Sequence, residues 1–229
     1  MTRIVDLSPT VTDGFRGPPS TDVGARFEVR TKPGYWQSSE ACLSVHTGCH
    51  VESELHVVEG GRAIDALPLE RVIGSAGGLD LTPVAPRALI DVAALRAAEA
   101  RLGKDGERIR PHDVLLLRTD WASRALGTPD YFRLSPALSE EGAEWLVSRE
   151  PRCVGGDFFE EPAARDPGWE APEFVVHRTI LGAGIPLVEG LVGLGELPPR
   201  CEFFAPFSKL GGIEAAPARA FAMVPEAAS

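Results

Sequence analysis

The sequence predicts one domain that mixes strands and helices, of the α/β or α+β class. Three observations predict it. Apolar runs of strand length are interspersed with helical stretches, no repeat or linker divides the chain, and 229 residues are enough for a single sizeable core. Hydrophobic residues at 44% and charged residues at 24% fit an ordinary globular composition. The order of the elements leaves the topology open.

Taken in order, IVDLS (4–8) and ARFEV (25–29) read as short strands. The Gly- and Pro-rich DGFRGPPSTDVG (13–24) between them makes residues 1–40 an extended N-terminal arm over the core. GSAGGLDLT (74–82) fits a strand. ALIDVAALRAAEARLG (88–103) has helical composition, with Asp91 near its start and Arg101 near its end, as the helix dipole prefers. DVLLLRTDW (113–121) is an apolar run of strand length behind Pro111. Ser139 before Glu140 and Glu141 predicts an N-cap and acidic first turn for EEGAEWLVSRE. PRCVGGDF (151–158) reads as strand into turn, FVVHRTILGAG (174–184) as a helix closing at Gly182 or Gly184, and IPLVEGLV (185–192) as a strand.

The densest chemistry is SVHTGCHVESELHV (44–57), which holds three of the five histidines. On a helix, His46 and His50 would share a face while Glu52 and His56 pointed elsewhere. On a strand, His46, His50, Glu52, Glu54 and His56 line one side, and Val45, Cys49, Val51, Leu55 and Val57 line the other. The extended reading therefore predicts one packed face and one coordinating face, with a bend or bulge near Gly48. A solvent-facing polar strand would alternate too, but three histidines and a glutamate on one face favour a metal site. Alternate strand residues stand about 6–7 Å apart, so further ligands must come from elsewhere. His177 and Glu189, each in an apolar element, are the candidates; His112, in a turn, is expected at the surface or in a cap.

Net charge is −10, with no basic patch, which argues against nucleic acid or anionic membrane surfaces as partners. No apolar run is long enough to span a bilayer, the N-terminus lacks a signal-like apolar region, and four irregularly spaced cysteines do not suggest a disulfide scaffold. A reduced, cytoplasmic setting is expected.

HTGCHVESELH (46–56) resembles the HxGTHxDxPxH motif of the metal-dependent cyclase/kynurenine formamidase family, with His46, His50 and His56 in register. IVDLSPTV, PHDVLLLRTDW, VGGDF and VVHRTILGAGIPLVEGLVGLGEL extend the likeness over nearly the whole chain. The resemblance implies a single α/β domain over residues 1–229 with a central β-barrel-like sheet surrounded by helices, of the swivelling β/β/α type, assembled as a homodimer or homotetramer. It implies one or two divalent ions, Zn or Mn, bound by His46, His50, Glu52, His177 and Glu189. His56 would be the proton donor and acceptor, and Phe15 the nearest match to a substrate-contacting aromatic. Family members hydrolyse an aryl formamide, the ring amide of isatin, or lactones. The expected function is metal-dependent hydrolysis of a small-molecule amide or lactone. The alternatives are a metal-dependent cyclase, dehydratase or isomerase, and a non-catalytic metal-binding protein.

Three positions depart from the motif. Glu52 replaces Asp and is one methylene longer, so the second ion could shift or be lost. Glu54 replaces Pro and adds a charge to the expected ligand face, beside the substrate. That charge disfavours an anionic substrate such as N-formylkynurenine unless the metal or Arg16 offsets it. Cys49 replaces Thr on the packed side.

Overall fold

The run Val114–Arg118, apolar on both faces, lies at the middle of a nine-stranded sheet. The computed structural model describes residues 2–18, 24–104, 108–165 and 168–226; parts of the expected N-terminal arm, residues 1 and 19–23, lie outside them. In chain order the strands are β1 (Thr2–Asp6), β2 (Arg26–Lys32), β3 (Trp36–Cys42), β4 (His50–Glu52), β5 (Ile73–Asp80), β6 (Leu89–Ile90), β7 (Val114–Arg118), β8 (Ala137–Leu138), β9 (Cys153–Gly156), β10 (Leu187–Glu189), β11 (Arg200–Phe204), β12 (Ala215–Pro217) and β13 (Phe221–Pro225). The helices are α1 (Val92–Lys104), α2 (Trp121–Ala125), α3 (Asp130–Arg133), α4 (Glu140–Val147) and α5 (Val175–Gly182).

The main sheet runs β1-β13-β11-β5-β7-β9-β10-β4-β12 and curls into a half-barrel. Its centre, β5-β7-β9-β10, is parallel, and every other pairing is antiparallel. Parallel strands are covered on both faces, which is why VLLLR is continuously apolar rather than alternating. Leu115, Leu117, Val154 and Leu187 pack with Leu95, Ala143 and Ile180 of the helical layer. Val114, Leu116, Cys153 and Val188 pack on the other side with Val51, Ile64 and Phe203. The period-two alternation of side chains thus builds two cores from one set of strands.

Most expected elements are present. The Ser139 hydroxyl accepts from Gly142 N at 3.0 Å and caps α4 as its sequence predicts. IVDLS and ARFEV fall within or beside β1 and β2. β2 and β3 form a separate hairpin exposed along nearly its whole length. No helix among the described residues is long and apolar enough to cross a membrane.

The long strand expected at 43–57 needs correction. Only His50–Glu52 is strand, Gly48 turns the chain just before it with φ +68°, and Glu54–His56 is a single 3-10 turn. The bend expected near Gly48 is there; the continuation beyond Glu52 is not. The reason is local bonding. β4 is clamped between β10 and β12, and the next residue, Ser53, gives both its N–H and its hydroxyl to the Glu214 carbonyl. Backbone N–H groups of His56 and Val57 then bond back to Ser53 and Glu54.

β10 is followed by Gly190, whose φ is +69° and whose position leaves no room for a Cβ, which would collide with the Gly48 carbonyl. This contact seats the turn before His50 against the end of β10. Gly190→Ala should lower stability by about 1–3 kcal/mol through backbone strain alone, with displacement of Gly48 in addition. Chemical denaturation of the variant beside the parent measures it; equal stabilities would mean that the contact is not constraining.

Candidate metal centre

Where the parallel core strands end, four imidazoles and four carboxylates meet. β4 contributes His50 and Glu52, the preceding turn His46, and the following 3-10 turn His56. Helix α5 contributes His177, and β10 contributes Glu189, which stands directly opposite His50 in the antiparallel register. His50, Glu52 and His177 are no more than 2% exposed, and Glu189 is buried.

Glu52 is the hub. Its Oε1 lies 2.7 Å from His46 Nδ1, 3.3 Å from His50 Nε2 and 3.8 Å from His56 Nε2, while its Oε2 lies 3.4 Å from His177 Nε2. Glu189 divides itself in the same way, Oε1 at 3.1 Å from His177 Nε2 and Oε2 at 3.6 Å from His50 Nε2. The bends at Gly48 and Ser53 achieve what a straight strand could not, folding His46 and His56 back over Glu52. Their rings lie 4.6 Å apart.

Three of the imidazoles are tied from outside. His50 Nδ1 donates to the Gly48 carbonyl at 3.0 Å, and His177 Nδ1 donates to Glu161 Oε2 at 3.2 Å. These bonds fix the outward edge of each ring at Nδ1 and leave Nε2 facing inward, the atom a metal would take in place of its proton. His46 uses the opposite edge, Nε2 pairing with Glu214 Oε1 at 3.0 Å, so that Nδ1 faces inward. His56 has no such tie to a described residue, and 26% of its side chain is exposed.

Burial would lower the pKa of His46, yet Glu214 and Glu52 outweigh it and push the value up to about 10. Burial works against the charge on Glu52 too, but the surrounding histidines, His56 foremost, hold its carboxyl well below the ordinary range. For Glu160, burial and then the Glu189 carboxylate act together, raising its pKa well above the ordinary value. For His56 burial prevails and lowers it. For His177 the Glu161 and Glu189 carboxylates overcome burial and raise it well above its usual value.

Sequence reading does not single out Glu160, Glu161 or Glu214. The Glu160–Glu161 doublet is a usable signal, because both acids stand a few residues beyond a buried strand, behind two phenylalanines; Glu214, between Gly-Gly-Ile and two Ala residues, offers none. Glu161 accepts from the backbone N–H groups of Val176 and His177 as well as from the His177 ring. Asp157 of the VGGDF turn serves the frame instead, accepting from Thr119 and Asp120 and joining the ends of β7 and β9.

The other expected site residues separate. Phe15 lines the opening above the cluster with Arg16, Leu126, Tyr131 and Phe132. Glu54 does not join the cluster: its carboxylate pairs with Arg62 at 3.3 Å, because the 3-10 turn rotates it off the face that strand alternation assigned to it. His112 is exposed in its turn.

The donor set fits a divalent cation. Ligand atoms converge to within 4.8 Å in three overlapping groups, His46–Glu52–His56, His50–Glu52–Glu189 and Glu160–His177–Glu189. Glu52 Oε2 and Glu160 Oε1 are buried and accept no hydrogen bond from a described residue. Buried carboxylate oxygens are normally bonded, and a cation would satisfy both.

Comparison with known proteins agrees. Residues 5–160 match the Cyclase family. A kynurenine formamidase of Salinibacter ruber is 31% identical over 182 residues, which cover 78% of this chain and 76% of the relative. Isatin hydrolase A of Labrenzia aggregata, solved with benzyl benzoate bound, superposes with a TM-score of 0.79 at 25% identity over 98% of this chain and 94% of the other. A predicted metal-dependent hydrolase of Bacillus stearothermophilus superposes with a TM-score of 0.71 at 26% identity, over 97% and 98% of the two chains.

If the Glu161 bond orients His177, Glu161→Gln keeps the shape but removes the charge, and metal affinity should fall about 10–100-fold. Isothermal titration with Zn²⁺ and Mn²⁺ tests this; unchanged affinity would leave Glu161 as a helix-capping group alone.

Proposed function

The chain belongs to the Cyclase family, with kynurenine formamidase and isatin hydrolase among its relatives, and from that premise we propose that it hydrolyses an aryl amide with a bound divalent metal. The observation that carries this reading is the convergence of imidazole nitrogens on buried carboxylates, of which Glu52 Oε2 and Glu160 Oε1 accept no hydrogen bond from a described residue. We assign the holding of the ion to His46, His50, Glu52, His177 and Glu189. Zinc and manganese both suit such a donor set. When bound, a divalent ion supplies Lewis acidity and lowers the pKa of a water molecule toward about 7.

His56 moves the protons. Its Nε2 accepts a proton from the attacking water and returns it to the departing nitrogen, so that the amine leaves neutral. The lack of an outer tie supports this role, because a shuttle has to reorient between two partners. Its convergence with His46 and Glu52 also permits a place among the ligands, which makes the distinction an experimental one. Phe15, Leu126 and Phe132 offer an apolar wall for an aromatic ring, and Phe15 packs within 3.8 Å of where a Cβ on Gly127 would stand. With Glu54 neutralised by Arg62, the charge that would repel an anionic substrate is gone from the site, and Arg16 is available at the opening to receive a carboxylate. We therefore assign the substrate to aryl amides that carry an acid group, the class to which N-formylkynurenine belongs.

The assembly we propose is a homo-oligomer. Val29, Tyr35 and Trp36 lie exposed on the β2–β3 hairpin, and a lone two-stranded hairpin is marginal in water unless something packs on it. All four cysteines are unpaired, which supports a reducing cytoplasm as the compartment.

Chelation should abolish amide hydrolysis and lower the melting temperature, since a ligand bound to the native state stabilises it. Full activity after exhaustive chelation, with no metal by elemental analysis, would overturn the reading. His56→Ala should lower kcat by about 10²–10⁴ while metal content stays intact; loss of metal in that variant would transfer His56 to the ligand set.

A further inference from the structure

We propose that Glu160 is itself a metal ligand, and that with His177 and Glu189 it forms an oxygen-rich second cation site that prefers Mn²⁺ to Zn²⁺. The inference rests on the reading of the cluster as a metal centre and extends it to a residue outside the assigned set.

Three features of the geometry support it. The Glu160 side chain is 6% exposed, and its Oε1 points to His177 Nε2 at 4.0 Å without accepting a hydrogen bond from any described residue. His177 Nε2 is 3.1 Å from Glu189 Oε1, and the three donor atoms of Glu160, His177 and Glu189 lie within 4.8 Å of one another. Ligands bound at about 2.0–2.2 Å stand roughly 3–4 Å apart around an ion, so only a small closing movement is required.

The cluster has two unequal halves. Glu52 and Glu189 each turn one oxygen toward His50 and the other toward His177, as bridging carboxylates would. What remains on one side is imidazole, His46 and His50. On the other it is one imidazole and the Glu160 carboxylate. Imidazole suits zinc, whereas carboxylate donors suit harder ions such as manganese, so the two halves should differ in preference.

The test reads metal binding directly, with no substrate present. Chelated protein is titrated with Mn²⁺ alone, with Zn²⁺ alone and with both, and bound metal is counted by elemental analysis; electron paramagnetic resonance reports spin-coupled Mn²⁺ pairs. The parent should bind two ions, one Zn²⁺ and one Mn²⁺ from the mixture. Glu160→Ala and Glu160→Gln should each keep the first and weaken the second at least tenfold, with loss of the coupled Mn²⁺ signal. A second readout separates a ligand from a structural group. Removing a ligand should lower the melting temperature of the loaded protein while leaving that of the chelated protein near the parent's, whereas loss of a structural contact would lower both. Two ions bound by Glu160→Ala with parental affinity, a single ion in the parent, or equal melting losses in both states would overturn the proposal. A protein that binds two ions through Glu160 but cleaves no amide would overturn the hydrolase reading alone. An active hydrolase whose metal binding ignores Glu160 would overturn only this inference.

Discussion

Four buried carboxylates are packed against four imidazoles, two of them buried and two nearer the surface, and the surrounding structure is organised around keeping that charge in place. Taking an ionised carboxylate out of water costs several kcal/mol even after relaxation, so such a cluster persists only when each group has a partner of opposite charge or a donor. Glu161 has backbone N–H groups and the His177 ring, and Glu52 has histidines on two sides. Among the described residues, Glu52 Oε2, Glu160 Oε1 and Glu161 Oε1 still accept no hydrogen bond, and a cation would satisfy those that face the histidines. Removing a single partner would therefore be felt across the whole cluster.

The frame is built from register. β4 is only three residues long, yet it is buried on every residue because β10 and β12 clamp it from both sides. That pairing sets His50 opposite Glu189, and the tight contact between Gly190 and Gly48 folds the preceding turn so that His46 lies over Glu52. At the start of α5, Glu161 takes two otherwise unpaired helix N–H groups and orients His177 with the same oxygen. One carboxylate thereby caps the start of a helix and orients the His177 ring.

The positions where the motif departs from its family take on separate meanings. Glu52 stays at the centre, its extra methylene carrying one oxygen toward His46 and His50 and the other toward His177. Glu54 lies off the centre and pairs with Arg62. Cys49 is buried beside Val51 and Leu191, a small apolar residue on the packed side. The cluster is thus acidic at its floor, and Phe15, Leu126, Phe132 and Arg16 line the opening above it.

Much of this was legible in the sequence. Strands such as VLLLR, the Ser139 cap and the helix carrying His177 all follow from local patterning, because propensity and periodicity act over a few residues. The crowding of His46, His50, Glu52 and His56 pointed to the centre by composition alone, and the family likeness joined His177 and Glu189 to it. Two things were not legible. The short strands β11, β12 and β13 carry weak local signals, Ala215–Pro217 above all, and exist because pairing with neighbours satisfies their backbone. Nor did alternation predict where side chains near His50 point. A strand keeps its faces only while its ladder continues, and here it stops at Glu52, where Ser53 bonds to Glu214 instead. Which acids enter the cluster and which turn away was decided by that long-range hydrogen bonding, between residues 161 positions apart, beyond the reach of any local pattern.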